Sequence, residues 1–267
     1  MKFWTLGTSA AVATAERDNA SILISAGEEL FLIDCGGSPV HRMAKLGFCV
    51  SELTGVFVSH AHADHIFGLP AVIHARKIRC QGALPMRIFG PAKAMAAAHG
   101  ILSALWDEET LRMYSNLISV PIEENYLLFE SPSVHIFSTP VEHGPETLAV
   151  KFVERKTGIS MAYSSDTRPC ENLVRLAKGV DYLLHDSTSC MDGGSELKFG
   201  HSSAREAAVV ARKAAVKRLI LLHFAGYDVA DCLREAAREF DGPIDAAHDL
   251  QEFSHEGSGD NRTSENI

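Results

Sequence analysis

Gly55-Val56-Phe57-Val58-Ser59-His60-Ala61-His62-Ala63-Asp64-His65 is an apolar run that ends in three imidazoles and a carboxylate. Thr54–Val58 reads as a buried strand, because consecutive apolar residues stop abruptly at Ser59-His60. The polar cluster therefore emerges at the C-terminal end of a strand, the edge at which α/β sheets place ligands. On a loop, His60 and His62 can converge on one cation. Asp64 and His65, where the chain turns into a helix, can converge on another. The competing account is an exposed His-rich turn, but the alanine spacers leave the pattern without another purpose.

Working outward, four further polar groups have similar settings. His143 follows Phe137-Ser138-Thr139-Pro140, and Asp166 follows Met161-Ala162-Tyr163-Ser164-Ser165. His223 closes Leu219-Ile220-Leu221-Leu222, and His201 stands between Gly200 and a helix start. One histidine at a strand end is usually a satisfied structural group. Several after buried strands, beside the first cluster, fit one composite site across the end of a layered fold.

The remaining pattern supplies the layers. Strands are expected at Ser21–Ile24, Leu30–Asp34, Met86–Phe89, Val134–Thr139, Leu148–Val153, Ile159–Tyr163, Tyr182–Leu184 and Leu219–Leu222. Helices are expected at Val40–Leu46, from Pro70, from Gly90-Pro91 to Leu105, at Glu171–Ala177, Ser202–Ala215 and Asp228–Phe240. Ser202 is the expected N-cap of its helix, with Glu206 near the first turn. Strands then helices, twice over, predict an α/β fold: a four-layer αββα sandwich with mixed sheets inside and helices outside. Residues 1–253 are expected to form one domain, followed by a polar, disordered tail at 254–267, with fraying from Gln251 onward.

Composition narrows the class. With 267 residues and 46% hydrophobic content the chain supports a substantial core, which excludes global disorder. A net charge of -9 argues against a general polyanion coat. No apolar run reaches membrane-spanning length, and the first residues are too short in apolar content for a secretory leader. Six cysteines are scattered without a CxxC pair, so unpaired thiols and a reducing, cytoplasmic setting are expected. Gly7-Thr8-Ser9-Ala10 reads as a turn near the site. It is not a nucleotide phosphate loop, because no Gly-Lys-Ser/Thr follows.

His60-Ala61-His62-Ala63-Asp64-His65 resembles the HxHxDH signature of the metallo-β-lactamase superfamily, with His143, Asp166 and His223 at the later ligand positions. Within it the chain is most similar to ribonuclease Z and its phosphodiesterase relatives. The supporting stretches are Ile66-Phe67-Gly68-Leu69-Pro70, Tyr163-Ser164-Ser165-Asp166-Thr167, His185-Asp186-Ser187-Thr188, Gly200-His201-Ser202-Ser203 and Leu221-Leu222-His223-Phe224-Ala225. It departs from the ribonucleases, which typically have His-Glu-Ala-Thr and His-Ser-Thr at the third and fourth of these. Only 23 positions separate His143 from Asp166, too few for the long arm with which bacterial relatives grip transfer RNA. Arg76-Lys77-Ile78-Arg79 is a short alternative.

The resemblance implies two divalent metal ions, zinc first and manganese or iron as alternatives. His60, His62 and His143 would hold one ion and Asp64, His65 and His223 the other, with Asp166 bridging. It implies a metal-dependent hydrolase that cleaves phosphodiesters with metal-activated hydroxide, as a nuclease or a small cyclic phosphodiesterase. Asp64 is also a candidate for orienting the attacking water. His201 is the candidate acid for the leaving oxygen, and Asp186 would fix its tautomer. His185 is a weaker candidate for supporting a ligand. Asp34, before the Gly36-Gly37 turn, is a candidate support for the first ligand loop. An aryl sulfatase or lactonase on the same centre, and a non-catalytic metal-binding module, remain open. The expected partners are a small anionic ester or phosphodiester, RNA without a clear binding arm, no membrane, and a second copy in a homodimer.

Overall fold

The structure is a computed structural model and describes residues 1–80, 84–191 and 198–255. The first half contributes β1 (Lys2–Gly7), β2 (Ser21–Ala26), β3 (Glu29–Ile33), α1 (Pro39–Lys45), β4 (Gly55–Phe57), α2 (Ala63–Ile66) and α3 (Leu69–Arg79). It continues through β5 (Met86–Pro91), α4 (Ala92–Ser103), α5 (Glu108–Tyr114) and β6 (Ser115–Val120). The second half contributes β7 (Tyr126–Glu130), β8 (Val134–Pro140), β9 (Leu148–Glu154), β10 (Ser160–Tyr163), α6 (Glu171–Leu176) and β11 (Tyr182–Asp186). After it come α7 (Ala204–Ala214), β12 (Arg218–Leu222), α8 (Val229–Ala236), β13 (Ile244–Ala246) and β14 (Gln251–Ser254).

Among the described residues these strands form two seven-stranded sheets, β14-β1-β2-β3-β4-β5-β6 and β13-β12-β11-β10-β9-β8-β7. Alternation along the strands decides what each face meets. Phe3, Ile22, Ile24, Phe31, Ile33 and Phe57 of one sheet meet Ile136, Val150, Phe152, Tyr163 and Leu184 of the other. The outer face of the first sheet (Leu23, Leu32, Val56, Ile88) packs against Met43, Val72, Ala94 and Leu111 of its helices. The outer face of the second (Ala162, Leu183, Leu219, Leu221) packs against Leu173, Ala207, Ala211 and Cys232. Each large side chain buried this way contributes about 1.5–3 kcal/mol. The result is the expected αββα sandwich.

Strand direction positions the site. β8 and β10 both run antiparallel to β9, so they point the same way, and β10, β11 and β12 are parallel neighbours. The residues that follow β8, β10, β11 and β12 therefore leave the sheet at one edge. β3, β4 and β5 are likewise parallel. Ser59 O accepts from Leu148 N at 3.1 Å and ties the loop after β4 to the second sheet at that edge.

Several expectations need correction. The N-cap of α7 is Ser203, one residue beyond the expected Ser202. Ser203 Oγ accepts from Glu206 N while Glu206 Oε2 accepts from Ser203 N. Such a reciprocal cap is worth about 1 kcal/mol. Ser202 instead donates its hydroxyl to Thr167 O at 2.6 Å. α8 ends at Ala236 rather than Phe240, and α5, β6 and β7 occupy a stretch in which no element was expected. Those two strands are edge strands with half-buried, weakly alternating faces. The expected fraying at Gln251 is wrong for the first four residues: β14 pairs with β1, and Phe253 stacks on Phe3 at 5.1 Å. Residues 256–267 of the expected tail lie outside the described residues. Cys190 and Cys232 are joined in a disulfide, against the expectation of six unpaired thiols. The pair is 42 positions apart and meets only because the segment after β11 lies beside α8, which local spacing cannot reveal.

Candidate metal centre

Most of the proposed site residues lie at or just past strand ends, at the edge shared by both sheets, and His201 stands three residues before α7. His60 follows β4, while His62, Asp64 and His65 lie on the turn into α2 and along its four residues. His143 follows β8, Asp166 follows β10, Asp186 ends β11 and His223 follows β12. The turns are tight. Asp34, Ser165 and His223 have positive φ of 54°, 55° and 66°, a left-handed backbone that non-glycine residues adopt at a cost of about 1–3 kcal/mol. At Gly36 a Cβ would lie 1.6 Å from Asp64 O, so only glycine lets this turn close against the ligand loop.

Three groups of donor atoms result, each with all atoms within 4.8 Å of one another: His60, His62, His143 and Asp166; Asp64, His65, Asp166 and His223; and Asp166, Asp186, His201 and His223. Asp166 belongs to all three. Its Oδ2 lies 3.6 Å from His60 Nε2, 3.4 Å from His65 Nε2 and 3.9 Å from His143 Nε2, while its Oδ1 lies 3.3 Å from His223 Nε2. Asp64 Oδ2 lies 3.5 Å from both His65 Nε2 and His223 Nε2. His62 Nδ1 and His143 Nε2 face each other at 3.2 Å.

The imidazole tautomers follow from what holds the other ring nitrogen. His65 Nδ1 donates to Asp34 Oδ2 at 2.7 Å. Ser59 Oγ donates to Asp34 Oδ2, which leaves it to accept from His60 Nδ1 at 3.0 Å. Thr188 Oγ1 donates to Asp186 Oδ1 and accepts from His223 Nδ1 at 2.9 Å. His143 Nδ1 donates to Gly200 O at 2.8 Å. In these four imidazoles Nδ1 is engaged and Nε2 turns its lone pair inward, whereas His62 faces the cluster through Nδ1. His60 Nε2, His65 Nε2, His223 Nε2 and Asp166 Oδ1 are buried without a hydrogen-bond partner. Buried polar atoms left so are costly, and several converging acceptors fit a cation.

Electrostatics agrees. Burial pushes His60, His62 and His143 below the ordinary imidazole range. Burial alone would raise Asp64 and Asp166, yet His223 and His65 hold both carboxyls well below the usual carboxylate range. Burial opposes charge on His223 too, but Asp166, Asp186 and Asp64 push its pKa up to about 10. The pocket is thus built around carboxylates that draw positive charge, whether from protons or from a divalent ion.

His201 Nδ1 donates to Asp186 Oδ2 at 3.0 Å, and its ring lies between those of His143 and His223, at 4.9 and 5.3 Å. Burial lowers the His201 pKa, but the Asp186 hydrogen bond and charge raise it overall. His185 does not support a ligand: its Nδ1 donates to Asp186 O inside the core. His248, His99 and His135 pair with nearby groups away from the centre. The Arg76–Arg79 stretch is the last turn of α3, and Arg76 donates to the carbonyls of Val50, Leu53 and Leu84.

Residues that sequence reasoning missed brace this geometry. Ser59 and Thr188 relay the carboxylates of Asp34 and Asp186 to two imidazoles. Tyr163 donates to Asp34 Oδ2 at 3.1 Å across the inter-sheet core. The Arg17 guanidinium lies 4.7 Å over the Phe224 ring beside His223 and donates to Ala247 O. Thr8 O and Ala10 N pair with the Phe224 backbone, which places the Gly7–Ala10 turn beside the centre as expected. The Ser59 and Thr188 relays have a sequence signal, a hydroxyl within two residues of a ligand or its supporting carboxylate. Arg17 has none.

The chain is 32% identical to ribonuclease Z of Methanothermobacter thermautotrophicus, over 94% of this chain and 95% of that protein. It is a member of the metallo-β-lactamase superfamily, in the ribonuclease Z-like branch. Within that superfamily it belongs to the family whose model is described as "Anti-Pycsar protein Apyc1", which matches residues 1–233. Two solved metallo-β-lactamase-type structures share the fold. YhfI from Bacillus subtilis has a TM-score of 0.79 at 20% identity, covering 94% of this chain and 98% of its own. The short form of human tRNase Z has a TM-score of 0.77 at 24% identity, covering 95% and 99%. In this ribonuclease Z-like chain the carboxylate at position 186 reaches His201 Nδ1 at 3.0 Å.

Proposed function

We propose that the chain is a dinuclear metal-dependent phosphodiesterase. The observation that carries this reading is the set of partnerless, inward-facing Nε2 and carboxylate atoms around Asp166. His60, His62 and His143 would hold one ion, and Asp64, His65 and His223 the other, with Asp166 shared. The nitrogen and oxygen donors suit zinc, and they accommodate manganese or iron because no thiolate is among them. When bound, the two ions supply a water nucleophile at neutral pH and neutralise phosphate charge.

The chain's own groups do the rest. Asp64, the more open of the two central carboxylates at 10% side-chain exposure against 2% for Asp166, faces the mouth and orients the attacking water. His201 presents Nε2 to the leaving oxygen and gives it a proton. Asp186 holds the opposite nitrogen and so keeps the useful tautomer. Asp34 and the Ser59 hydroxyl keep His65 and His60 from rotating.

The test combines metal analysis with rates on bis-p-nitrophenyl phosphate, a 2′,3′-cyclic nucleotide, an aryl sulfate and precursor transfer RNA. Two ions per chain and turnover on phosphodiesters support the reading. Two bound ions without turnover on any phosphodiester overturn it. His201→Ala should keep its metal and lose about 100- to 10,000-fold in kcat. Unchanged turnover would remove His201 from the acid role.

A further inference from the structure

Asp249 is a buried carboxylate outside the metal centre. It lies between β13 and β14, its side chain is 6% exposed, and both of its oxygens serve donors. Thr8 Oγ1 donates to Oδ1 at 2.8 Å. Asp18 N donates to Oδ2 at 2.7 Å, and Arg42 Nη2 of α1 pairs with the same oxygen at 3.1 Å. Arg17 Nη1 donates to both Thr8 Oγ1 and Ala247 O, which closes the cluster. A buried carboxylate is costly unless it is paired and hydrogen-bonded, so the segments that carry Thr8, Arg17-Asp18, Arg42 and Asp249 are drawn together at one point.

Each oxygen leads toward ligands. On the Oδ1 side, Thr8 O accepts from Phe224 N and Ala10 N donates to Phe224 O, both at 3.1 Å. This turn therefore clamps the His223–Phe224 peptide, next to the positive φ of 66° at His223. On the Oδ2 side, Asp18 Oδ2 accepts from Ser38 N, Ser38 Oγ and Arg42 Nε. These contacts press Asp18-Asn19 against the glycine turn. A Cβ on Gly37 would lie 1.8 Å from Asp18 Oδ1, and one on Gly36 would lie 2.9 Å from Asn19 Cβ and 1.6 Å from Asp64 O. Cys35 N, beside that turn, donates to His65 O at 2.9 Å. Both arms thus end on the backbone of Asp64, His65 and the His223–Phe224 peptide, and those three ligands share one donor group. The other group is held elsewhere: His143 by Gly200 O, His62 by His143, and His60 by Ser59.

We propose that Asp249 is a positioning residue that sets the geometry of the Asp64–His65–His223 ion site and leaves the His60–His62–His143 site unaffected. This rests on the dinuclear reading of the centre. Asp249 touches no ligand side chain; it acts through Thr8 on one side and through Asp18 and Arg42 on the other. A group that orients a ligand directly changes metal affinity about 10- to 100-fold, and Asp249, one contact further out, belongs at the lower end.

The experiment measures zinc affinity of the full chain by competition with a chelator. His143→Ala and His223→Ala each disable one site and so isolate the other. Asp249→Asn keeps the size of the side chain but offers one acceptor oxygen to donors on two sides. It should weaken zinc on the order of tenfold in the His143→Ala chain, where the Asp64–His65–His223 site remains, and less than twofold in the His223→Ala chain. Thr8→Val removes the hydroxyl at nearly constant volume and should give the same one-sided loss, so it carries the test if Asp249→Asn does not fold. A carboxylate that only stabilises the fold would weaken both sites alike. Equal losses in the two backgrounds, or none in either, overturn the proposal while the wild type still binds two ions. Fewer than two zinc ions in the wild type overturn the dinuclear reading and the proposal with it.

Discussion

The two halves of the sandwich build their shares of the centre by different means. In the first half, one turn after β4 delivers His60, His62, Asp64 and His65 from six consecutive residues, and Asp34 braces them from the neighbouring strand. In the second half, His143, Asp166, Asp186, His201 and His223 come from five separate segments and meet only because β8, β10, β11 and β12 point the same way. A local motif needs one correct turn, whereas a dispersed one needs the whole sheet in register. Asp166, from the dispersed set, is nevertheless the residue shared by all three donor groups.

The largest effect should come from that shared residue. Asp166→Asn should lower kcat/KM on bis-p-nitrophenyl phosphate by at least about a thousandfold and reduce bound metal, measured by mass spectrometry of the desalted protein. His62→Ala, at the exposed rim of the first group, should lose only about ten- to a hundredfold. Equal losses would mean that the local turn, not the shared carboxylate, dominates the centre.

Next come the two supporting carboxylates, one from each half. Asp34→Asn loosens His65 and the Ser59–His60 contact, so metal affinity should fall about 10- to 100-fold in a chelator titration. Asp186→Asn acts on His201 directly and on His223 through Thr188. Its loss should appear in kcat more than in metal affinity. The reverse ordering would assign Asp186 to holding metal rather than to placing a proton.

The halves also differed in how much could be read from sequence. The first cluster was legible because strand, turn and ligands are contiguous, and the four layers because apolar runs alternate with helical ones. Dispersed ligands were legible only as polar residues after apolar runs, and their convergence rested on resemblance. Partners fixed by topology left no local mark: Tyr163 reaching Asp34, Arg17 covering Phe224, and Cys190 meeting Cys232. The same limit explains β14, whose single inward residue, Phe253, is too little pattern to announce a strand. It also explains the misplaced cap, since Ser202 and Ser203 are chemically alike and only the reach of Glu206 distinguishes them.

The disulfide gives the dispersed half a covalent strap, while Cys35 and Cys49 in the compact half are unpaired. Closing a loop of 42 residues restricts the unfolded chain, so reduction should lower stability by about 2–4 kcal/mol, read as a shift in the urea midpoint. Cys232→Ala should abolish the response to reductant. A midpoint that ignores reductant in the wild type would show that packing alone holds the segment after β11.

The smallest effect concerns acid stability, where one carboxylate in each half can be compared away from the centre. Burial would raise the Asp18 carboxyl, but Ser38 N and Oγ, Asn19 N and Arg42 donate to it and hold it below the usual range. Asp181 is treated the same way: burial raises it, while Lys217 and Ser160 bring it lower. Both groups bind protons less readily folded than unfolded. Their contribution is therefore complete above the unfolded carboxyl pKa, about 3.9, and is lost as pH falls through the lower folded value. Asp18→Asn and Asp181→Asn should each lower urea stability at pH 7 and flatten its decline below about pH 4, so that variant and wild type converge in acid. Asp18 should matter more, because it joins the loop before β2 to α1, whereas the Lys217 partner of Asp181 is 69% exposed and screened by solvent. If Asp181→Asn flattens the profile more than Asp18→Asn, the second half, and not the loop that backs the first ligand turn, sets the acid limit of the fold.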